Sequence, residues 1–254
     1  MIVLTAIAVA FLALPLIAIF TQGSLREGLQ QPGAWTALKI SFETSAVSLG
    51  LMLVFGTPIA YMLATTEFRG KTLLTTLFEL PLVLPPAVAG LGLLMAFGRF
   101  GLIGPQLSAL GIEIPFTKTA VVMAMTFVAC PLYVRQAVSA FEAVDVDLLG
   151  ASRTLGAGPA RTFFRVAIPV AASGLSAGAV LAWARALGEF GATILFAGSL
   201  QGVTETAPVA IYLGFAQSLN QALALGALLI AVSAFVLISV KLLIRGRAFR
   251  YTPA

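Results

Sequence analysis

Apolar runs separated by short polar breaks set the rhythm of this chain, at 2–20, about 37–64, about 72–97, about 119–140, about 170–196 and about 221–243. A membrane-crossing helix takes about 20 apolar residues, so six such runs predict six transmembrane helices. Helices are required because each unsatisfied backbone group in lipid costs several kcal/mol. A β-barrel would instead show alternating segments of about ten residues, and these runs do not alternate. The expected fold class is all-α and polytopic. For the first run a signal peptide is the competing reading, but that reading wants a basic leader and a shorter apolar stretch. No Lys or Arg precedes the run, and its abrupt start leaves room for further residues of cytoplasmic tail.

The polar breaks differ in kind. Residues 21–37, with Pro32, read as an outside loop with one surface helix, and Glu67-Phe-Arg-Gly-Lys71 as a tight basic turn. Residues 98–118 form a second outside loop containing Pro105 and Pro115, and 197–219 a third with Glu205 and Pro208. Pro58 lies near the inner end of the second span.

Composition agrees, since 59% of residues are hydrophobic and 10% charged, against about 25% charged in soluble domains. The chain has no histidine, which removes His-metal sites, His-ligated haem and Ser–His or Cys–His catalysis. Its single cysteine, Cys130 beside Pro131, excludes an internal disulfide and reads as an inert buried thiol. No metal site and no cofactor held by this chain are expected. The net charge of +5 sits at the ends of apolar runs, so it speaks for topology and not for nucleic acid. With both termini cytoplasmic, ten cations fall inside (Arg69, Lys71, Arg135, Arg153, Arg161, Arg165, Lys241, Arg245, Arg247, Arg250) and four outside (Arg26, Lys39, Arg99, Lys118). That imbalance predicts both termini inside.

By this count Asp145 to Pro169, with three arginines and two aspartates, is cytoplasmic. Asp147 suits an N-cap for a helix from Leu148 to Leu155. Leu148, Leu149, Ser152 and Leu155 fall on one side of it at helical spacing. Gly156 suits a positive φ at the helix end, and Gly158-Pro159 starts a second helix. The stretch either meets a soluble partner or lies on lipid headgroups.

Two places in the spans are irregular. Glu79-Leu-Pro-Leu-Val-Leu-Pro-Pro86 puts three prolines within six residues, which an undisturbed helix does not tolerate. The outcome is a kink, or a broken backbone that lines a transport path. Arg185 and Glu189 place opposite charges at i and i+4 in the fifth span. They form a structural pair on one helical face or a functional site. Gly174, Gly178, Ala182 and Ala186 make a small-residue stripe there, for close helix approach or for clearance of a solute.

Resemblance adds a partner. Gly156, nine residues, then Val166-Ala-Ile168-Pro169 resembles the end of the E-A-A-x3-G-x9-I-x-L-P motif of ABC importer permeases. Gly150, Ala151 and Ser152 occupy its Glu-Ala-Ala positions, so the glutamate is absent. The resemblance implies a type I ABC importer transmembrane domain whose coupling helix docks on a cytoplasmic ATPase. The ATPase-coupling residues it implies are Leu148, Leu149, Gly150, Ala151, Ser152, Arg153, Leu155, Gly156 and Pro169. Ala184-Arg-Ala-Leu-Gly-Glu-Phe-Gly-Ala-Thr193, Leu80 to Gly90, Ser152 to Ala157 and Arg161 to Arg165 are similar to the molybdate/sulfate branch. The shorter loops and Gly202 to Pro208 are closer to the molybdate members. Resemblance covers about residues 36–240.

The chain carries no G-x4-G-K-[ST] phosphate loop, and no internal repeat, so it reads as one half of a transporter. The expected partners are a second copy, two cytoplasmic ATP-binding subunits that carry ATP and Mg, an extracytoplasmic oxyanion-binding protein and membrane lipid. The expected domains are 1–35 (first span and loop), 36–240 (transport domain) and 241–254 (cytoplasmic tail), in the cytoplasmic membrane of a prokaryote. An oxyanion needs a wetted path with weak, replaceable partners. Ser45, Ser48, Thr193, Arg185, Glu189 and the Pro85-Pro86 break are the candidates. Tungstate or sulfate/thiosulfate is the near alternative to molybdate. A membrane anchor of an enzyme complex is the distant one.

Overall fold

Every regular element among the described residues is helical. The computed structural model describes residues 1–248; Arg250 lies outside them, as do the side chains of Lys241, Arg245 and Arg247. In chain order the helices are α1 (Ile2–Gln22), α2 (Leu25–Gln30), α3 (Ala34–Leu51), α4 (Thr57–Thr65), α5 (Lys71–Val83), α6 (Pro86–Phe97) and α7 (Gly104–Ala109). There follow α8 (Lys118–Glu142), α9 (Val146–Thr154), α10 (Pro159–Thr162), α11 (Ile168–Leu187), α12 (Gly191–Phe196), α13 (Ala207–Gln217) and α14 (Leu219–Ala248). Among the described residues five spans are long and apolar enough to cross a membrane, and the bent pair α5–α6 makes up to a sixth.

Proline explains most departures from straight helix. Pro81 is carried inside α5, while Leu84 and Pro85, each preceding a proline, take extended backbone with ψ of 132° and 134°. A residue before proline is pushed out of the α region. Two in succession turn the chain by 114° before Pro86 restarts it at the head of α6. The third run is therefore broken rather than kinked. Two π-helical turns, Met52–Gly56 and Phe163–Ala167, each stop two residues short of a proline, Pro58 and Pro169. The wider turn relieves the clash between the proline ring and the preceding carbonyls.

The structure divides into two units, residues 1–42 with 198–254, and residues 43–197. In the second unit α8 is the hub, burying Ala120, Val121, Ala124, Met125, Tyr133 and Phe141 among others. α11 packs along it. A Cβ at Gly174 would fall 2.5 Å from Ala140 Cβ, and one at Gly178 would fall 3.0 Å from Gln136 Cβ. The glycines of the small-residue stripe thus set close helix approach. Thr57 and Tyr133 hydroxyls, 2.6 Å apart, tie α4 to α8.

In the first unit α13 and α14 form a hairpin with an apolar core of Ala34, Ala37, Leu38, Ala207, Ala210, Leu225 and Leu228. The backbone N–H of Ala207, at the head of α13, donates to Ser41 Oγ at 2.7 Å. The segment read as a 197–219 loop therefore contains a helix of 11 residues, with Pro208 in its first turn. The segment expected as an outside loop at 98–118 likewise holds α7, and α14 continues past the expected end of the sixth span. No residue of α1 is buried, although the helix is apolar throughout, as suits a surface facing lipid.

Candidate functional site

The break at Leu84-Pro85 is met by a second break in the fifth span. α11 ends at Leu187, and Gly188, Glu189 and Phe190 lead into the short α12. Arg185 and Glu189 therefore do not share one helical face, as expected from i, i+4 spacing. Glu189 lies beyond the helix end. The pair still forms, with Arg185 Nη1 2.8 Å from Glu189 Oε2. Glu189 is 1% exposed, and its other oxygen accepts the N–H of Ala192 at 2.8 Å. One carboxylate therefore holds the end of α11 to the start of α12.

α12 rests against the head of α6. A Cβ on Gly191 would come within 2.9 Å of Pro86 Cβ, and one on Gly90 within 2.6 Å of the Ala192 carbonyl oxygen. Glycine permits this backbone contact, and the two broken spans meet there. Thr193, next along α12, is fully buried, and its hydroxyl has no partner among the described residues. A buried unsatisfied hydroxyl costs about 1–3 kcal/mol. Pro85 and Pro86 are exposed.

Ser45 and Ser48 sit differently. Both are fully buried. Ser45 Oγ accepts from Trp183 Nε1 at 3.1 Å, and Ser48 Oγ lies 2.9 Å from Thr126 Oγ1. In this conformation they tie α3 to α11 and α8. Trp183 and Thr126, which pattern reading passed over as span residues, complete those ties.

The 145–169 stretch forms the second candidate site. Its helix begins two residues earlier than expected: Asp145, not Asp147, is the N-cap, and its Oδ1 accepts the Asp147 N–H at 2.9 Å. Leu155 is the C-cap, and Gly156 follows with φ of +84°. The Gly156 N–H bonds the Arg153 carbonyl at 2.9 Å, and the Ala157 N–H the Ser152 carbonyl at 3.0 Å. That is a Schellman close, which needs the left-handed residue that glycine supplies. Pro159 then opens α10.

The expected single face of Leu148, Leu149, Ser152 and Leu155 is split. Leu149 is buried in the body of the unit, and Ser152 Oγ lies 2.8 Å from Thr162 Oγ1, bracing α9 on α10. Leu148 and Leu155 are exposed, as are Gly150, Ala151, Arg153 and Pro169. Phe163 stacks with Tyr61 of α4 at 4.9 Å and approaches Phe141 of α8 at 6.3 Å. The segment is thus fastened to the spans on one side and presents Val146, Leu148, Leu155 and Phe164 with three arginines on the other. At Gly150 an added Cβ meets no atom within 4 Å, so the missing acid is not excluded by space.

Comparison with known proteins decides the family. The model of the binding-protein-dependent transport system inner membrane component matches residues 56–248. The chain belongs to this family. Among relatives, the molybdenum transport system permease protein ModB of Mycobacterium tuberculosis is 44% identical over 235 residues, 91% of this chain and 89% of that protein. The ModB of Escherichia coli K12 is 44% identical over 179 residues, 70% of this chain and 78% of that one. A bacterial ABC transporter involved in import of the acidic polysaccharide alginate aligns with a TM-score of 0.73 at 16% identity, over 99% of this chain and 95% of that one. The MetNI methionine ABC transporter aligns with a TM-score of 0.62 at 19% identity, over 84% and 94%. The fold is that of a type I ABC importer transmembrane domain. As a binding-protein-dependent inner membrane component, the chain is a transporter subunit and not an enzyme, and the family implies an ATPase and a substrate-binding partner.

Proposed function

We propose that this chain forms the membrane path of an ATP-driven molybdate importer, as one of two identical permease subunits. The observation that carries the substrate is the 44% identity, over 91% of the chain, with a permease named for molybdenum transport. Two cytoplasmic ATP-binding subunits, holding ATP and Mg, dock on the exposed side of 145–169. An extracytoplasmic binding protein delivers the anion. The cation imbalance of ten to four supports this orientation, with both termini in the cytoplasm.

The bracing of 145–169 on α4 and α8 supports its use as a lever. A push on Leu148, Arg153 or Leu155 reaches the spans through Leu149, Phe163 and the Ser152–Thr162 contact. The α6–α12 junction is the moving part of the path. Pro85, Pro86, Arg185, Glu189 and Thr193 surround a place where backbone is already free of straight helix. Arg185 offers a weak, part-exposed cation whose charge Glu189 offsets, and Thr193 a spare hydroxyl. Such partners suit release better than tight binding. Ser45 and Ser48 enter the path only when their bonds to Trp183 and Thr126 open.

Uptake of radiolabelled molybdate by cells carrying the full transporter tests the substrate. Tungstate should compete strongly and sulfate weakly, and strong competition by sulfate overturns the assignment.

A further inference from the structure

We propose that Phe116 is a positioning residue for transport: its backbone, held in a left-handed turn, caps the end of α12 and sets where that short helix sits. Phe116 has a φ of 61°, and among the described residues it is the one residue other than glycine with a positive φ. A side chain of this size disfavours that region. Packing of the ring does not offset the cost, because Phe116 is 52% exposed beside a cavity of about 510 Å³.

The bonds around Phe116 hold it instead. Pro115 precedes it, and Thr117 is the N-cap of α8. Thr117 Oγ1 donates to the Ile114 carbonyl and accepts the Ala120 N–H at 3.4 Å, which fixes the turn on both sides of Phe116. The Phe116 N–H then donates to the Phe196 carbonyl oxygen at 3.4 Å. Phe196 is the last residue of α12, fully buried, with its ring 6.3 Å from that of Phe97 at the end of α6.

A helix as short as α12 depends on such contacts. It has 6 residues, too few to be stable alone, and its terminal N–H and C=O groups need partners from outside it. The Glu189 carboxylate takes the Ala192 N–H at its start, and the Phe116 N–H takes a carbonyl at its end. Thr193, buried and without a partner among the described residues, lies between these two caps. The outer cap is a long bond, so a small movement of the 98–116 segment opens it. Backbone kept in a costly conformation by its surroundings is found at switch points, and this one joins that segment to the α6–α12 junction.

The inference rests on the proposed transport path, in which α12 moves. The test compares Phe116→Val with Phe116→Asn in the full transporter. Asn enters the left-handed region readily, whereas a β-branched residue does not. A packing role for the ring would make Val the better replacement, and the backbone cap requires the reverse order. Phe116→Val should speed hydrogen exchange of the 190–197 amides about tenfold and lower molybdate uptake by a similar factor, with exchange along 120–134 unchanged. Phe116→Asn should keep both within about twofold of the unmodified chain. Unchanged 190–197 exchange in the Val variant, an Asn variant as impaired as the Val one, or faster exchange with normal uptake overturns the proposal. Loss of the molybdate assignment shows separately, as failure of uptake by the unmodified chain, and the exchange comparison still decides the cap.

Discussion

Replacing Gly156 with valine lowers molybdate uptake about tenfold while leaving the amount of protein in the membrane unchanged. The reason is confined to one backbone angle. Gly156 sits at φ +84°, and an added Cβ there meets no atom within 4 Å. A clash with neighbours is thus absent, and the cost is conformational: about 1–2 kcal/mol for an L-residue in the left-handed region, and more for a β-branched one. Since 1.4 kcal/mol is about a factor of ten, the elbow between α9 and α10 is mostly lost. The lever then transmits little. Gly156→Asn, which tolerates the left-handed region, should keep most of the uptake. Membrane uptake assays of the two variants check this, and normal uptake by the valine variant removes the elbow from the coupling account.

Arg185→Ala costs the fold about 2 kcal/mol, read as a lower melting temperature of the purified protein. Glu189 is 1% exposed, and among the described residues its carboxylate has two hydrogen-bond partners, Arg185 at 2.8 Å and the Ala192 N–H. Breaking a buried pair costs about 3–5 kcal/mol. The Arg185 side chain is 36% exposed, which reduces that figure by solvent screening. The double variant Arg185→Ala, Glu189→Ala removes the stranded carboxylate and should recover part of the loss. Arg185→Ala with Glu189→Gln should recover more, because the amide oxygen still accepts the Ala192 N–H. A double variant no more stable than the single one contradicts the pairing.

How much was legible in the chain follows from the range of each interaction. At Leu84-Pro85 the prolines announced a kink or a break, because proline acts on its immediate neighbours, and the 114° turn decides for the break. Gly156 and Pro159 announced the elbow in the same local way. The fifth span misled, because Arg185 and Glu189 at i, i+4 look like an ordinary helical pair. The pair forms instead across the end of α11, and that depends on the Ala192 N–H and on Pro86 packing against Gly191. The face of α9 misled for a related reason. Periodicity finds an apolar side, but only the body of the protein determines that Leu149 goes in while Leu148 and Leu155 stay out. α13 was hidden because its 11 residues follow a Gly- and Thr-rich stretch and fall short of a full span. The ties from Ser45 to Trp183 and from Ser48 to Thr126 join residues far apart in the chain, beyond any local pattern.

The central claim is that substrate delivered outside drives an ATPase bound to 145–169 inside. The measurement that tests it most directly is ATP turnover by the reconstituted permease–ATPase complex with binding protein loaded separately with molybdate, tungstate and sulfate. Molybdate- and tungstate-loaded protein should raise turnover severalfold over the unloaded protein, sulfate-loaded protein should raise it little, and Gly156→Val should abolish the rise. An ATPase that fails to copurify, or turnover indifferent to the loaded binding protein, contradicts the account.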